Sequence, residues 1–462
     1  MFNGLKARRR LAVYVALGLS AGSCTCLDAS SAYAAHDYTE TATSISGLEG
    51  TDKTNSMSDN NITIGTPGTP NVPFSTYGRI SGGGKKNATA DVTGNTLTIH
   101  GLQVSNGGGQ SIIYGGISGT GAVTNNKVFF NNGLSKDPIY GGFNGASATK
   151  AVTGNAVTVA GGTVEGDAFG GVTQGTGAVT GNSVTITGGT LKDEAAGGVV
   201  TNASNSADIT GNTLTISGGA FTKSGGTKVF GAYTAGSGKA ENNSATVGGI
   251  DNTNLNVYGA YAAGAGNAVN NHVTITGTGK VGGVYAGRAQ SAAGKAERNT
   301  VTIEPGGWAE NNVFGGYAKG GVKGNIVNIK GTVNATVYGG HLMGSGTAEA
   351  NEVHLEDATV KNQVIGAEGD NGALVKENRV SVANSLVKDD VIGGFSRGTN
   401  GKAERNTVSV TGDSARVKGT VTGGLRQGTR RPLGIRLASR EGRLKETSME
   451  ATACKTVRLR II

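Results

Sequence analysis

Proline is scarce in this chain, with 6 in 462 residues against 82 glycines. That ratio excludes collagen, which needs glycine at every third position together with abundant proline. The glycine also disfavours long helices, because each glycine inside a helix costs about 1 kcal/mol relative to alanine. Aromatics are 5% and charged residues 16% of the chain, so no short segment carries enough large side chains to form a core alone. There are three cysteines. Cys24 and Cys26 fall in an N-terminal leader, which leaves Cys454 as the one thiol of a processed chain and excludes an intramolecular disulfide framework. The longest apolar run, Leu11 to Leu19, is too short to span a bilayer as a helix.

Charge is missing from the middle of the chain. Of the net +9, residues 1–34 carry +3 and residues 425–462 carry +7, which leaves −1 for everything between. A near-neutral centre offers no footprint for nucleic acid. Convergent chemistry is also missing from the linear order. The histidines His36, His100, His272, His341 and His354 show neither an H-E-x-x-H pattern nor a paired metal spacing. No phosphate-binding G-x-x-x-x-G-K-[S/T] loop occurs. The calcium-binding G-G-x-G-x-D nonapeptide does not occur either. Acids such as Glu297, Glu352, Asp389 and Asp390 fall at non-repeating positions. The sequence therefore nominates no catalytic, cofactor-binding or metal residues, and the expectation is a protein that is not an enzyme and needs no cofactor.

What the chain does have is a repeat. The pattern N-x-[V/L/I]-x-[I/V/L/F] starts, with few exceptions, at Asn60, Asn95, Asn126, Asn155, Asn182, Asn212, Asn243, Asn271, Asn299, Asn325, Asn351, Asn378 and Asn406. After a first gap of 35 residues the spacing stays between 26 and 31, close to 28. Residues 294–303, GKAERNTVTI, return at 401–410 as GKAERNTVSV, a sign of internal duplication. A strand-like unit at such a period indicates a solenoid. Within Asn299-Thr300-Val301-Thr302-Ile303, strand alternation puts Asn299, Val301 and Ile303 on one face and the threonines on the other. Asparagine at the same inward place in every copy suggests a ladder of stacked amides along the axis.

A second motif follows each asparagine: an aromatic or aliphatic residue and then glycine, as at Tyr114, Tyr140, Phe169, Phe230, Tyr258, Tyr285, Phe314 and Tyr338. Glycine there suits a sharp corner or a close backbone approach. These aromatics are expected to form an internal ladder, and the threonines Thr98, Thr158, Thr185, Thr215, Thr274 and Thr302 an outward row. The fold expected is all-β: a right-handed parallel β-helix of about twelve to thirteen coils, each of two or three strands, about 60 Å long. A propeller needs blades of about 40 or more residues, and a string of hairpins needs N-G or D-G turns, which are not the dominant turns here.

The expected organisation has four parts. Residues 1–34 read as a signal peptide, with Lys6 to Arg10 as its charged region, Leu11 to Leu19 as its apolar region and Ala32-Tyr33-Ala34 as its cleavage site. Lipidation at Cys24 is the alternative, but the sequence Ala21-Gly22-Ser23 before it lacks the usual leucine. Residues 35–59 read as a flexible leader or N-terminal cap, residues 60–424 as the repeat domain, and residues 425–462 as a basic tail, disordered or non-native. Pro67, Pro70 and Pro73 interrupt pairing in the first unit.

The signal peptide followed by N-x-V-T-I-x-G-G-T-V and V-Y-G-G repeats over residues 60–424 resembles the passenger region of bacterial autotransporter adhesins. The resemblance implies an exported, adhesin-like structural protein on the cell surface, in the outer membrane or outside the cell. Attachment, aggregation or biofilm formation would be its work. Its implied partners are glycans or proteins of host-cell or bacterial surfaces, or further copies of itself. Such proteins reach the outer membrane through a β-barrel translocator, which residues 425–462 do not supply, so a periplasmic location is the alternative. The competing readings are a truncated remnant without function and a β-helix enzyme acting on polysaccharides.

Overall fold

The computed structural model of this chain describes residues 36–40, 48–49, 57–68, 72–74, 78–104, 111–223, 225–398 and 400–426. The expected signal peptide, most of the leader and almost all of the basic tail lie outside the described residues, as do Cys24, Cys26 and Cys454. The described residues contain strands and no helix, arranged as a parallel β-solenoid of about thirteen turns with a period of about 28 residues.

One turn shows how the sequence builds it. Lys295–Glu297, Thr300–Ile303, Trp308–Ala309 and Val313–Ala318 are its four strands. Each pairs in parallel with its equivalent in the next turn: Val301 lies between Val273 and Val327, and Val313 between Val284 and Val337. Four strands replace the two or three expected from sequence, because the extra ones are only two or three residues long. Stacked turns make one sheet of fourteen strands, thirteen of which carry the asparagine motif, and a second sheet of twelve short strands just before it. A third sheet of fourteen strands carries the V-Y-G-G motif, and the remaining short strands form two sheets of six. His36–Glu40 adds a rung below Asn60–Ile64, and the last strand, Val421–Arg426, runs two residues beyond the expected limit at 424.

The alternation expected from sequence holds. Val301 and Ile303 are fully buried in a continuous core with Val273, Ile275, Val327 and Ile329, while Thr300 and Thr302 are partly exposed. Asn299 is fully buried too. Its backbone N–H donates to Asn325 Oδ1 at 3.0 Å, and its Nδ2 donates to the same oxygen at 2.9 Å and to the Ala268 carbonyl at 3.0 Å. Its own Oδ1 accepts the corresponding two bonds from Asn271, both at 2.9 Å. The backbone-to-amide link repeats without a break from Asn60 to Asn406. The expected amide ladder therefore exists, and it satisfies buried groups that would each cost about 1–3 kcal/mol if left unpaired.

The residue before each ladder asparagine has φ between +51° and +72° in every turn. Five of these are glycines: Gly94, Gly154, Gly181, Gly211 and Gly324. The others are Asp59, Asn125, Asn242, Asn270, Arg298, Ala350, Glu377 and Arg405. A left-handed residue here bends the chain between the short strand and the asparagine-motif strand, and the asparagine side chain is buried.

The glycine pair of the third sheet has a different task. A Cβ on Gly316 would lie 2.5 Å from Asn325 Nδ2, and one on Gly315 would lie 2.5 Å from the Gly339 carbonyl. The pair thus lies flat against the asparagine ladder, which makes the two motifs halves of one contact. Ala232, Ala260 and Ala367 occupy the second position in three turns, so a methyl fits after a small shift.

Candidate functional site

The third sheet carries the aromatic residues, and its phase decides where they point. Val257 belongs to the main core, whereas Tyr258 belongs to a separate cluster with Tyr114, Phe143 and Phe230. Adjacent strand residues face opposite ways, so the aromatics face away from the interior. This corrects the expected internal ladder. The outward rings are buried against one another.

The rings stack at the strand spacing. Tyr258, Tyr285, Phe314 and Tyr338 follow one another at 4.8 Å between centroids, with interplanar angles of 5° to 16°. Ring faces are therefore occupied by neighbouring rings, and only the edges reach solvent. This stacking stabilises the sheet. Burial pushes the phenols of Tyr258 and Tyr338 up to about 12. Ala196 interrupts the column between Phe169 and Phe230.

Three residues further along each strand lies a second outward column, which changes character along the stack. It begins with Ile117, Phe143, Val172 and Val199 and continues with Tyr233 and Tyr261. It then becomes ionic: Arg288, Tyr317, His341 and Glu368, before Phe395. The Arg288 guanidinium lies between two rings, 4.7 Å from the Tyr261 centroid and 5.3 Å from that of Tyr317. Contacts of this kind contribute about 0.5–2 kcal/mol.

His341 and Glu368 are the candidate site. The two pair in register on successive turns, Asp370 follows two residues after Glu368, and Arg397 lies one turn further on. The His341 ring stacks on Tyr338 at 5.2 Å and meets Tyr317 edge to face at 5.2 Å. Its Nε2 lies 3.6 Å from Asp370 Oδ2 and 3.9 Å from Glu368 Oε1, beyond hydrogen-bond length. Glu368 is only 2% exposed; its Oε1 accepts Arg397 Nε at 2.6 Å, and its Oε2 is buried without a hydrogen-bond partner. Both ring nitrogens of His341 are likewise buried and unpartnered. Burial lowers the His341 pKa and raises that of Glu368, with Arg397 opposing the latter shift.

Several other histidines and acids noted in the sequence have local partners or stand in solvent. His354 contacts Glu352 at 2.9 Å on the asparagine-motif sheet, and His272 is exposed there. Glu297 lies 3.8 Å from Arg298. Asp390 accepts the backbone N–H and the hydroxyl of Thr420, and Asp389 accepts the backbone N–H of Asp390. The outward threonine row is present, with Thr302 between Thr274 and Asn328 in register. Between the two six-stranded sheets, Gly219, Ala220, Phe221, Ile250, Asp251 and Asn252 line a shallow groove of about 320 Å³. Compared with known proteins, the chain matches no family model, no curated protein and no solved structure.

Proposed function

We propose that this chain is an exported, adhesin-like display scaffold that attaches to glycans or proteins on host or bacterial surfaces. The resemblance of residues 60–424 to autotransporter passenger repeats supports the reading, as does the leader ending at Ala32-Tyr33-Ala34. The observation that carries it is the register of the asparagine-motif sheet. That register sets like groups beside like groups on the outer face, as with Thr158, Thr185, Thr215, Thr246, Thr274 and Thr302. Weak contacts repeated at strand spacing raise avidity without a strong single site. Loops between strands, such as the one from Asp370 to Ala373, supply variation on a rigid support.

The test is attachment of beads coated with the full chain to epithelial cells and to bacteria. Attachment should persist when salt is raised moderately, because the repeats are near neutral and recognition runs through hydroxyls and amides. Absence of attachment to both surfaces, with the strand signal intact, would refute the reading. Hydrolysis of a polysaccharide, lost on Glu368→Gln, would replace it with the enzyme.

A further inference from the structure

We propose that His341, Glu368 and Asp370 bind a divalent metal ion of the zinc class. Each residue offers one donor atom, and the three donors lie within 4.8 Å of one another. Zinc bonds of about 2.1 Å in a tetrahedron set neighbouring donors about 3.4 Å apart, close to the 3.6 Å and 3.9 Å from His341 Nε2 to the two carboxylates. One imidazole nitrogen and two carboxylate oxygens make a borderline donor set, which suits zinc, cobalt or manganese better than the all-oxygen shell calcium and magnesium prefer.

A second observation points the same way. Both His341 nitrogens and Glu368 Oε2 are buried polar atoms without a hydrogen-bond partner. Buried polar groups are ordinarily paired, and an ion held by His341 Nε2 and the Glu368 carboxylate supplies the contact that Nε2 and Oε2 lack. The cluster is also preorganised. Stacking on Tyr338 and Tyr317 fixes the His341 ring plane, and parallel pairing fixes the backbone of His341 against that of Glu368. Arg397 touches Glu368 Oε1 at 2.6 Å and Asp370 Oδ1 at 3.8 Å, so it is the cation that competes with the metal. Its side chain is 50% exposed. Three protein donors leave one position of the ion for water.

The experiment is calorimetric titration of the full chain with Zn²⁺ at neutral pH, with Cys24, Cys26 and Cys454 changed to serine so that no thiol contributes. One equivalent should bind. His341→Ala and Glu368→Gln should abolish that equivalent, while His354→Ala, at the partly exposed His354–Glu352 pair, should leave it unchanged. Arg397→Gln removes a cation that competes for Glu368 Oε1 and no ligand, so it should tighten binding about tenfold. Co²⁺ in place of Zn²⁺ should give visible d–d bands that disappear in Glu368→Gln. Zinc binding that is the same in wild type, His341→Ala and Glu368→Gln overturns the proposal, as does the lack of a one-equivalent phase. If the two ligand variants lose their strand signal, Arg397→Gln decides: unchanged or weaker binding refutes the site.

Discussion

Replacing Asn299 by alanine tests the amide ladder at its middle. The change removes the two bonds donated by Nδ2, to Asn325 Oδ1 and the Ala268 carbonyl, and the acceptor for two donors of Asn271. Asn271 Nδ2 keeps its bond to the Ala240 carbonyl, but the Asn271 backbone N–H loses its side-chain acceptor in a fully buried position. An orphaned buried N–H costs about 1–3 kcal/mol, and each of the three other lost bonds about 1 kcal/mol, for a total of about 4–6 kcal/mol. In a solenoid, stability is roughly a sum of local turn and interface contributions, so the loss is concentrated at one junction. Thermal unfolding by circular dichroism should move to lower temperature. Hydrogen exchange at Asn271 and Thr300 should accelerate more than at ladder positions several turns away. Asn299→Asp keeps one acceptor but turns an oxygen toward Asn325 Oδ1 and the Ala268 carbonyl, so it should be worse at neutral pH and partly relieved by acid. Asn311, exposed in the same turn, is the control. Equal losses for Asn299→Ala and Asn311→Ala, both within about 0.5 kcal/mol, would refute the ladder's role.

Three further outcomes are expected. Ala350→Gly should raise the thermal midpoint, because Ala350 holds φ at 52° and a left-handed conformation costs a non-glycine residue about 1–2 kcal/mol; no gain would contradict the strain assigned there. Val301→Asp should cost several kcal/mol, because it places a charge in a fully buried site, while Thr302→Asp should be mild; equal loss of strand signal would defeat the alternation. Burial, with Asp193 and Glu194 nearby, raises the Asp167 pKa to about 6. Its raised folded pKa means that this stability is present at acid pH and is lost as pH rises from about 4 through about 6. Asp167→Asn, which keeps the acceptor for the Glu194 N–H, should therefore stabilise above pH 6 and change little below pH 4; a pH-independent effect would contradict this.

The period, the thirteen asparagines and the two faces of the asparagine-motif strand are legible in the sequence, because a buried amide and buried branched residues recur at fixed offsets. Strand number per turn is not, since a two-residue strand such as Trp308–Ala309 has too few positions to show alternation. The outward aromatics were hidden for a related reason. Gly315 and Gly316 carry no side chains, so the inside–outside phase is lost between Phe314 and Tyr317. The left-handed residue before each asparagine left no signal either, since glycine, asparagine, arginine, alanine, aspartate and glutamate all serve there. His341 and Glu368 are 27 residues apart, and only the turn-to-turn register shows that they are neighbours. Aligning the repeats in columns places them in one column, a sequence signal that linear motif spacing misses.

Attachment as a function of turn number tests the central claim most directly. Ladder asparagines mark equivalent points, so removing 299–324, 299–350, 299–377 or 299–405 takes out one, two, three or four whole turns and rejoins equivalent residues. Coated beads should lose attachment to epithelial cells in steps as turns are removed, while the strand signal per residue stays constant. Undiminished attachment after all four turns are lost, or complete loss from one outward substitution such as Thr302→Asp, would contradict distributed binding and place the function at a discrete site.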